Sequence, residues 1–196
     1  MRSLCDPEKI CTIDKIHGYE GSSAARYFPA LGHLIVSPGF ALHERLRHPP
    51  KDAMNSLLSF GYTLLCNNVL SLLLAEGINP YLGNLHGAER QEAYLAFDMM
   101  EEFRSPVVDT LVMQLVNQKV IKQTDFEAEG DRAGIYLTDT ARKVFLQHFE
   151  ERMCTKIAHP DIQETVSYRR AIHLQIQRYK RSLLSDVPYE AFLRLN

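Results

Sequence analysis

Residues 52–77 read DAMNSLLSFGYTLLCNNVLSLLLAEG. Asp52 stands where an N-cap acid accepts a free amide proton of the first helical turn. Pro49 and Pro50 stop whatever precedes it. Gly77 suits the left-handed residue that closes a helix, and Pro80 discourages any resumption. Between these signals, Leu57, Leu58, Phe60, Leu64, Leu65, Val69, Leu70, Leu72 and Leu73 fall on most sides of a helix over about 53–76. A helix apolar nearly all round belongs in the centre of a core. Asn67, Asn68 and Ser71 interrupt the apolar run, which suits a buried helix better than a bilayer span.

The rest of the chain arranges itself around that helix. Residues 1–18 read as a leader or remnant linker, and 19–196 as a single helical domain. Helical spacing of Tyr19, Ala24, Tyr27, Phe28, Leu31 and Leu34 predicts a helix over 19–37, kinked or broken at Pro29. Its small residues, Gly21 to Ala25, leave room for another backbone to come close. A loop follows over 37–51, and a second over 79–91. Helices are predicted over 92–104 and 107–118, with Ser105-Pro106 breaking between them. Residues 119–137, with Gly130, Gly134 and β-branched residues, read as a β-hairpin. Thr138 caps a helix to about 153, and a last helix covers 161–184. Helix, hairpin and helix over 107–153 suggest a small winged-helix-like unit. The tail DVPYEAFLRLN is expected to pack back onto the body. The fold class is therefore mainly α, a helical bundle with one short β-hairpin.

A chain of 196 residues can bury one substantial core. A net charge of −2 gives no overall electrostatic case for nucleic acid, though it leaves room for a local basic patch. The four cysteines form no CxxC and follow no secretory signal. They read as free thiols in a reducing cytoplasm, with no structural zinc and no membrane partner.

Chemistry concentrates in residues 84–106, NLHGAERQEAYLAFDMMEEFRSP. His86 ends a polar loop. Asp98 and Glu101 follow at i, i+3, on one helix face, where two acids repel each other unless a cation answers them. Glu20 lies far upstream. Carboxylates with an imidazole are a ligand set for a divalent metal. The bland reading is a solvent-facing acidic stripe, DMMEE, paired with Arg104. Two basic segments stand beside this set. RLRHPPK carries Arg45, Arg47, His48 and Lys51 on a loop stiffened by prolines, able to hold phosphates or merely to be solvated. The terminal helix carries Arg169, Arg170, Arg178, Lys180 and Arg181, with Tyr168 or Tyr179 near enough for a base to stack on. Its alternative is an amphipathic helix with a charged outer face.

Four segments carry a resemblance: GYEGSSAARYF (18–28), RHPPKDAMNSLLSFGYTLL (47–65), EGINPYLGNLH (76–86) and LAFDMMEEFRSPVVDTLV (95–112). In order and spacing they resemble the CRISPR-associated spacer-acquisition integrase family, the universal first-numbered Cas nucleases. The likeness covers about residues 10–190. It implies a helical catalytic domain in which Glu20, His86 and Glu101 are the metal ligands and Asp98 supports them. Arg26, Arg47, Asn55, Tyr62 and Arg104 fall on family positions near the active site.

The implied cofactor is Mg²⁺ or Mn²⁺, and a histidine ligand tilts the preference toward Mn²⁺. The implied reaction is attack of a DNA 3′-hydroxyl on a repeat-end phosphodiester, or hydrolysis when water takes the hydroxyl's place. The implied partners are prespacer and CRISPR-repeat DNA, a small adaptation protein, and a second copy of the full-length chain. Arg26, Arg45, Arg47, Lys51, Arg104, Arg170, Arg178 and Arg181 are the candidate DNA contacts. The family places a β-strand domain ahead of the Glu20 motif, and this sequence has about nineteen residues there. It also reads Ala93-Tyr94 where the family often has Pro-Ser. The competing reading is a non-catalytic helical DNA-binding or oligomerisation module.

Overall fold

A computed structural model of the chain describes residues 12–46, 49–85, 92–128 and 134–193. Helix α2, Ala53–Ala75, is the axis of the bundle. Asp52 caps it by accepting from the Asn55 amide at 2.8 Å. At its other end Gly77 adopts φ +71°. Ile78 N–H then reaches Leu73 O and Gly77 N–H reaches Leu74 O, both at 3.0 Å. This pair of bonds is the glycine-closed helix end that the sequence announces. Leu57, Leu58, Leu65, Val69 and Leu73 are fully buried along it. Each stabilises the fold by about 1.5–3 kcal/mol relative to an exposed side chain. By length and composition this helix is apolar enough to cross a membrane, yet its buried face is the centre of the bundle.

Helix α3, Tyr94–Phe103, packs on α2 and does not stop at Ser105-Pro106. The chain continues through one π-helical stretch, Arg104–Asp109, into α4, Thr110–Asn117. The expected break is thus a widened turn. Proline lacks the amide proton and its ring crowds the carbonyl four residues back; a wider turn relieves both. Thr110 N–H bonds to Ser105 O. The Pro106 carbonyl is taken by the Arg152 guanidinium, with Nε at 3.1 Å. Gly61 of α2 admits this turn: a Cβ there would meet Val108 Cγ1 at 2.5 Å.

The expected hairpin at 119–137 is shorter than its range. Strands β1, Phe126–Ala128, and β2, Ile135–Leu137, pair antiparallel, with Phe126 opposite Leu137. Residues ahead of β1 are turn and a short 3₁₀ segment, Gln123–Asp125. Helix α5, Asp139–Cys154, starts from the Thr138 cap as read. The last helix is a correction. Residues 161–167 are strand, because β3, Lys156–His159, and β4, Ile162–Ser167, form a second hairpin. Helix α6 is Tyr168–Leu184, capped by Ser167. Its Ile172, Ile176 and Tyr179 are buried, while Leu183 at the end of the same seam is exposed.

The tail does pack back. Phe192 is buried and stacks on Phe103 at 5.0 Å between centroids. Its amide donates to Glu102 Oε2 at 2.7 Å.

Helix α1, Ile13–Gly32, begins earlier and ends sooner than expected, and Pro29 lies inside it without ending it. It buries only Phe28 and Leu31. Its small residues do not admit a backbone at Gly21, where nothing lies within 4 Å. The close approach falls at Gly32, where a Cβ would sit 2.0 Å from Leu42 O.

At the far end of the bundle, Glu76 accepts from His173 Nε2 at 2.6 Å, Gln177 Nε2 at 3.0 Å and Lys180 Nζ at 3.1 Å. These donors, His173 first, hold its carboxyl down to about 2. A depressed carboxylate stabilises the fold above its ordinary value near 4.3, and loses that stabilisation as pH falls toward 2. Glu76→Gln is therefore expected to be less stable than the parent at pH 6 and to converge with it near pH 2. Urea unfolding at the two pH values checks this, and an equal deficit at both would refute it.

Candidate active site

Glu20 and Glu101 come from different helices, far apart in sequence, and line one cleft of about 640 Å³. The α1 wall is built from Tyr19, Glu20, Ser22, Ser23, Arg26 and Tyr27. Glu101, Arg104, Ser105 and Asp109 form the facing wall, with Tyr62 of α2 also lining the cleft. The small residues Ser22, Ser23 and Ala24 line this wall. One Glu101 oxygen, Oε1, accepts from Arg104 Nη1, so the expected pairing of the acidic stripe with Arg104 is real. The guanidinium of Arg104 also lies 4.3 Å from the centroid of the Tyr62 ring.

The three acids of DMMEE go to three different partners, which is how the helix carries them together. Asp98 Oδ2 accepts the backbone amides of Asn84 at 2.7 Å and Leu85 at 3.0 Å. Glu102 holds the tail through Tyr189, Gln175 and the Phe192 amide. Only Glu101 of the three lines the cleft. Asp98 therefore fixes the backbone that leads into His86. Leu85 is held from the other side too, its carbonyl lying 2.9 Å from His17 Nε2 of α1. His86 itself lies outside the described residues. Among those residues no three His, Cys, Asp or Glu side chains gather as a metal cluster.

Beneath the cleft is a group that motif reading passed over. Asp109 is 3% exposed. Its Oδ2 accepts from Tyr27 OH at 2.6 Å and its Oδ1 from Tyr62 OH at 2.5 Å. Ser105 Oγ is 3.0 Å from the same Tyr27 oxygen. Burial pushes the Asp109 carboxyl up, against the two tyrosine hydroxyls and Arg104. Burial and the neighbouring Asp109 carboxylate raise Tyr27 to about 12, and raise Tyr62 as well. Both phenols therefore stay protonated as donors at neutral pH. The available signal was a lone acid in the apolar run VVDTLV, with a tyrosine seven residues beyond Glu20.

The basic candidates divide. Arg26 is exposed at the cleft, and Lys51 is exposed elsewhere. Arg45 points inward, donating to Asn55 Oδ1 and Ser59 Oγ, both at 2.8 Å. Asn55 is buried and also donates to Glu44 O and Asp52 Oδ2, so it pins the 44–46 loop to the start of α2. Arg47 and His48 lie outside the described residues. On α6, Arg178 is 13% exposed and committed to Asp161. Arg181 reaches the same acid at 3.3 Å, Arg169 pairs with Glu150 at 2.7 Å, and exposed Arg170 meets His173 at 2.8 Å. The aromatics expected beside this basic row are core residues. Tyr168 is 1% exposed under Arg152, and Tyr179 is buried with its hydroxyl bonded to Asn84.

The class so defined is a helical domain with one mixed acidic and basic cleft. The chain belongs to the CRISPR associated protein Cas1 family, whose model matches residues 2–151. A CRISPR-associated endonuclease Cas1 of Leptospira interrogans is 38% identical over 184 residues, 93% of this chain and 72% of that protein. A solved Cas1 protein from Thermotoga maritima superposes with a TM-score of 0.81 at 28% identity, over 91% of this chain and 54% of that one. A chain of a solved Cas6-RT-Cas1–Cas2 complex superposes at 0.80 with 27% identity, over 94% of this chain and 20% of that chain. The present chain thus spans 72% of one curated relative but only about half of the solved Thermotoga protein.

Proposed function

We propose that this chain provides the catalytic helical domain of a metal-dependent DNA endonuclease and integrase of CRISPR adaptation. The observation that carries the reading is the meeting of Glu20 and Glu101 across one cleft with Arg26 and Arg104. The donor chemistry fits Mg²⁺ or Mn²⁺: carboxylate oxygens are hard ligands, and an imidazole from His86 would complete the set. Such an ion, when bound, polarises a phosphoryl oxygen and stabilises developing charge.

The chain's own residues supply the rest. Arg26, exposed at the rim, draws the phosphate backbone toward the acids. Arg104 answers the Glu101 charge. Asp98 and His17 hold the backbone of residues 84 and 85, immediately ahead of His86 in the sequence. In the joining reaction a DNA 3′-hydroxyl attacks phosphorus, a new P–O bond forms and the strand's original P–O bond breaks. The attacking hydroxyl gives up its proton, and the freed 3′-oxygen takes one up, so the step is balanced. Prespacer and repeat DNA, a small adaptation partner and a second copy of the full-length protein are the proposed partners. The domain composition of the Cas6-RT-Cas1–Cas2 assembly supports a partnered role.

The test is cleavage of a branched DNA by the purified chain with Mn²⁺. The parent is expected to cut and to gain thermal stability with Mn²⁺, and Glu101→Ala to lose both responses. No cleavage by the parent, and no difference in Glu101→Ala, would leave a DNA-holding module, recognised by salt-dependent affinity without turnover.

A further inference from the structure

We propose that Asp109 is a positioning residue of this cleft, tying Tyr27 of α1 to Tyr62 of α2 and so fixing Glu20 in place against Glu101. The proposal rests on the metal-site reading for its effect on catalysis, while the tie itself is a matter of geometry. Three observations carry it.

The first is the weak apolar attachment of α1. A helix of 20 residues that buries only Phe28 and Leu31 is not fixed in rotation by packing alone. Polar bonds must set it. In the cleft itself Tyr27 OH meets Asp109 Oδ2 at 2.6 Å, the shorter of its two contacts, with Ser105 Oγ at 3.0 Å. Two others flank it, His17 to Leu85 O and Val36 N–H to Asn117 Oδ1, each at 2.9 Å.

The second is helical phase. Tyr27 is seven residues beyond Glu20. At 3.6 residues per turn that is two turns to within about 20°, so both project from one face of α1. Whatever holds the Tyr27 hydroxyl therefore holds the angle at which Glu20 faces the cleft.

The third is the π-turn. In an unbroken α-helix, residues eight apart such as Glu101 and Asp109 are out of phase by about 80°. The stretch Arg104–Asp109 puts an extra residue in the turn. It swings Asp109 back to the side of Glu101, and both line the same cleft. A widened turn of this kind is frequent at functional sites. Here its consequence is specific. The buried carboxylate offers one oxygen to each tyrosine, and Arg104, which pairs with Glu101, lies over the Tyr62 ring.

Tyr27→Phe is the decisive variant, because Tyr27 is 39% exposed and its ring contacts survive loss of the hydroxyl. Asp109→Asn and Tyr62→Phe accompany it as probes of the buried side. Amide hydrogen exchange over residues 18–26 is expected to speed up about tenfold in Tyr27→Phe. Mn²⁺ affinity, read by electron paramagnetic resonance, and kcat on branched DNA are each expected to fall about tenfold. The Kd for the same DNA at fixed salt stays within about twofold. Unchanged exchange in α1 would overturn the tie. Faster exchange with unchanged Mn²⁺ affinity would overturn its link to Glu20. A parent chain that binds no Mn²⁺ would instead sink the metal-site reading, with the exchange rates still deciding whether Asp109 holds α1.

Discussion

Glu20→Gln and Glu101→Gln are each expected to lower Mn²⁺-dependent DNA cleavage by about a thousandfold or more, and Asp98→Asn by only about ten- to a hundredfold. A direct ligand contributes several kcal/mol of charge stabilisation, and each 1.36 kcal/mol is a factor of ten in rate. Groups that orient a ligand from behind cost about 10–100-fold when replaced. The structure separates the two kinds of acid. Glu101 lines the cleft, whereas Asp98 spends Oδ2 on the amides of Asn84 and Leu85. Asparagine keeps an acceptor but loses the charge that strengthens those bonds, so the loop before His86 loosens without being released. Raising Mn²⁺ should then restore much of the Asp98→Asn rate and little of either glutamate variant's. An Asp98→Asn enzyme as inactive as Glu101→Gln, and as indifferent to added Mn²⁺, would mean that Asp98 meets the reacting groups directly.

The same helix shows what was readable in the sequence. Local rules delivered α2 almost to the residue, because Asp52 and Gly77 act through bonds to their immediate neighbours. Spacing brings forward Asp98 and Glu101, and the family resemblance brings forward Glu20, though only the fold shows Glu20 and Glu101 in one cleft. Pro106 misled, since a proline inside an apolar run ordinarily stops a helix and nothing local announces a π-turn. That turn depends on Arg152, which arrives from α5 to take the freed carbonyl. The hairpin at Lys156–Ser167 goes unread because the helical period of α6 is carried upstream to Asp161, over the residues that form β4. The basic row of α6 reads as a charged face in sequence, and only the fold shows the acids that answer Arg169 and Arg178 while Arg170 and Arg181 stay exposed. Asp161 and Glu150 lie 17 and 19 residues from the arginines they bind. Asp109 was invisible for the same reason, since its two tyrosines lie 82 and 47 residues away.

Phe103→Ala is expected to destabilise the domain by about 3–5 kcal/mol, the usual cost of emptying a buried phenylalanine site. At roughly 2–4 °C per kcal/mol for a chain of this size, the Tm should fall by about 10 °C. Phe103 is fully buried at the point where α3 meets the π-turn. Its ring is stacked on Phe192, which is stacked in turn on His159 at 5.7 Å. The tail therefore closes over the end of the helix that carries Glu101, and the neighbouring Glu102 binds the Phe192 amide. Two rings in stacked contact are coupled by about 0.5–1.5 kcal/mol beyond the area they bury. Phe192→Ala should accordingly cost less in the Phe103→Ala background than in the parent, and a double-mutant cycle by chemical denaturation measures the difference. Strict additivity would show that the tail lies on the bundle without bracing it. Coupling of the expected size makes residues 185–193 part of what holds the Glu101 helix, so that removing them loosens the cleft wall from behind.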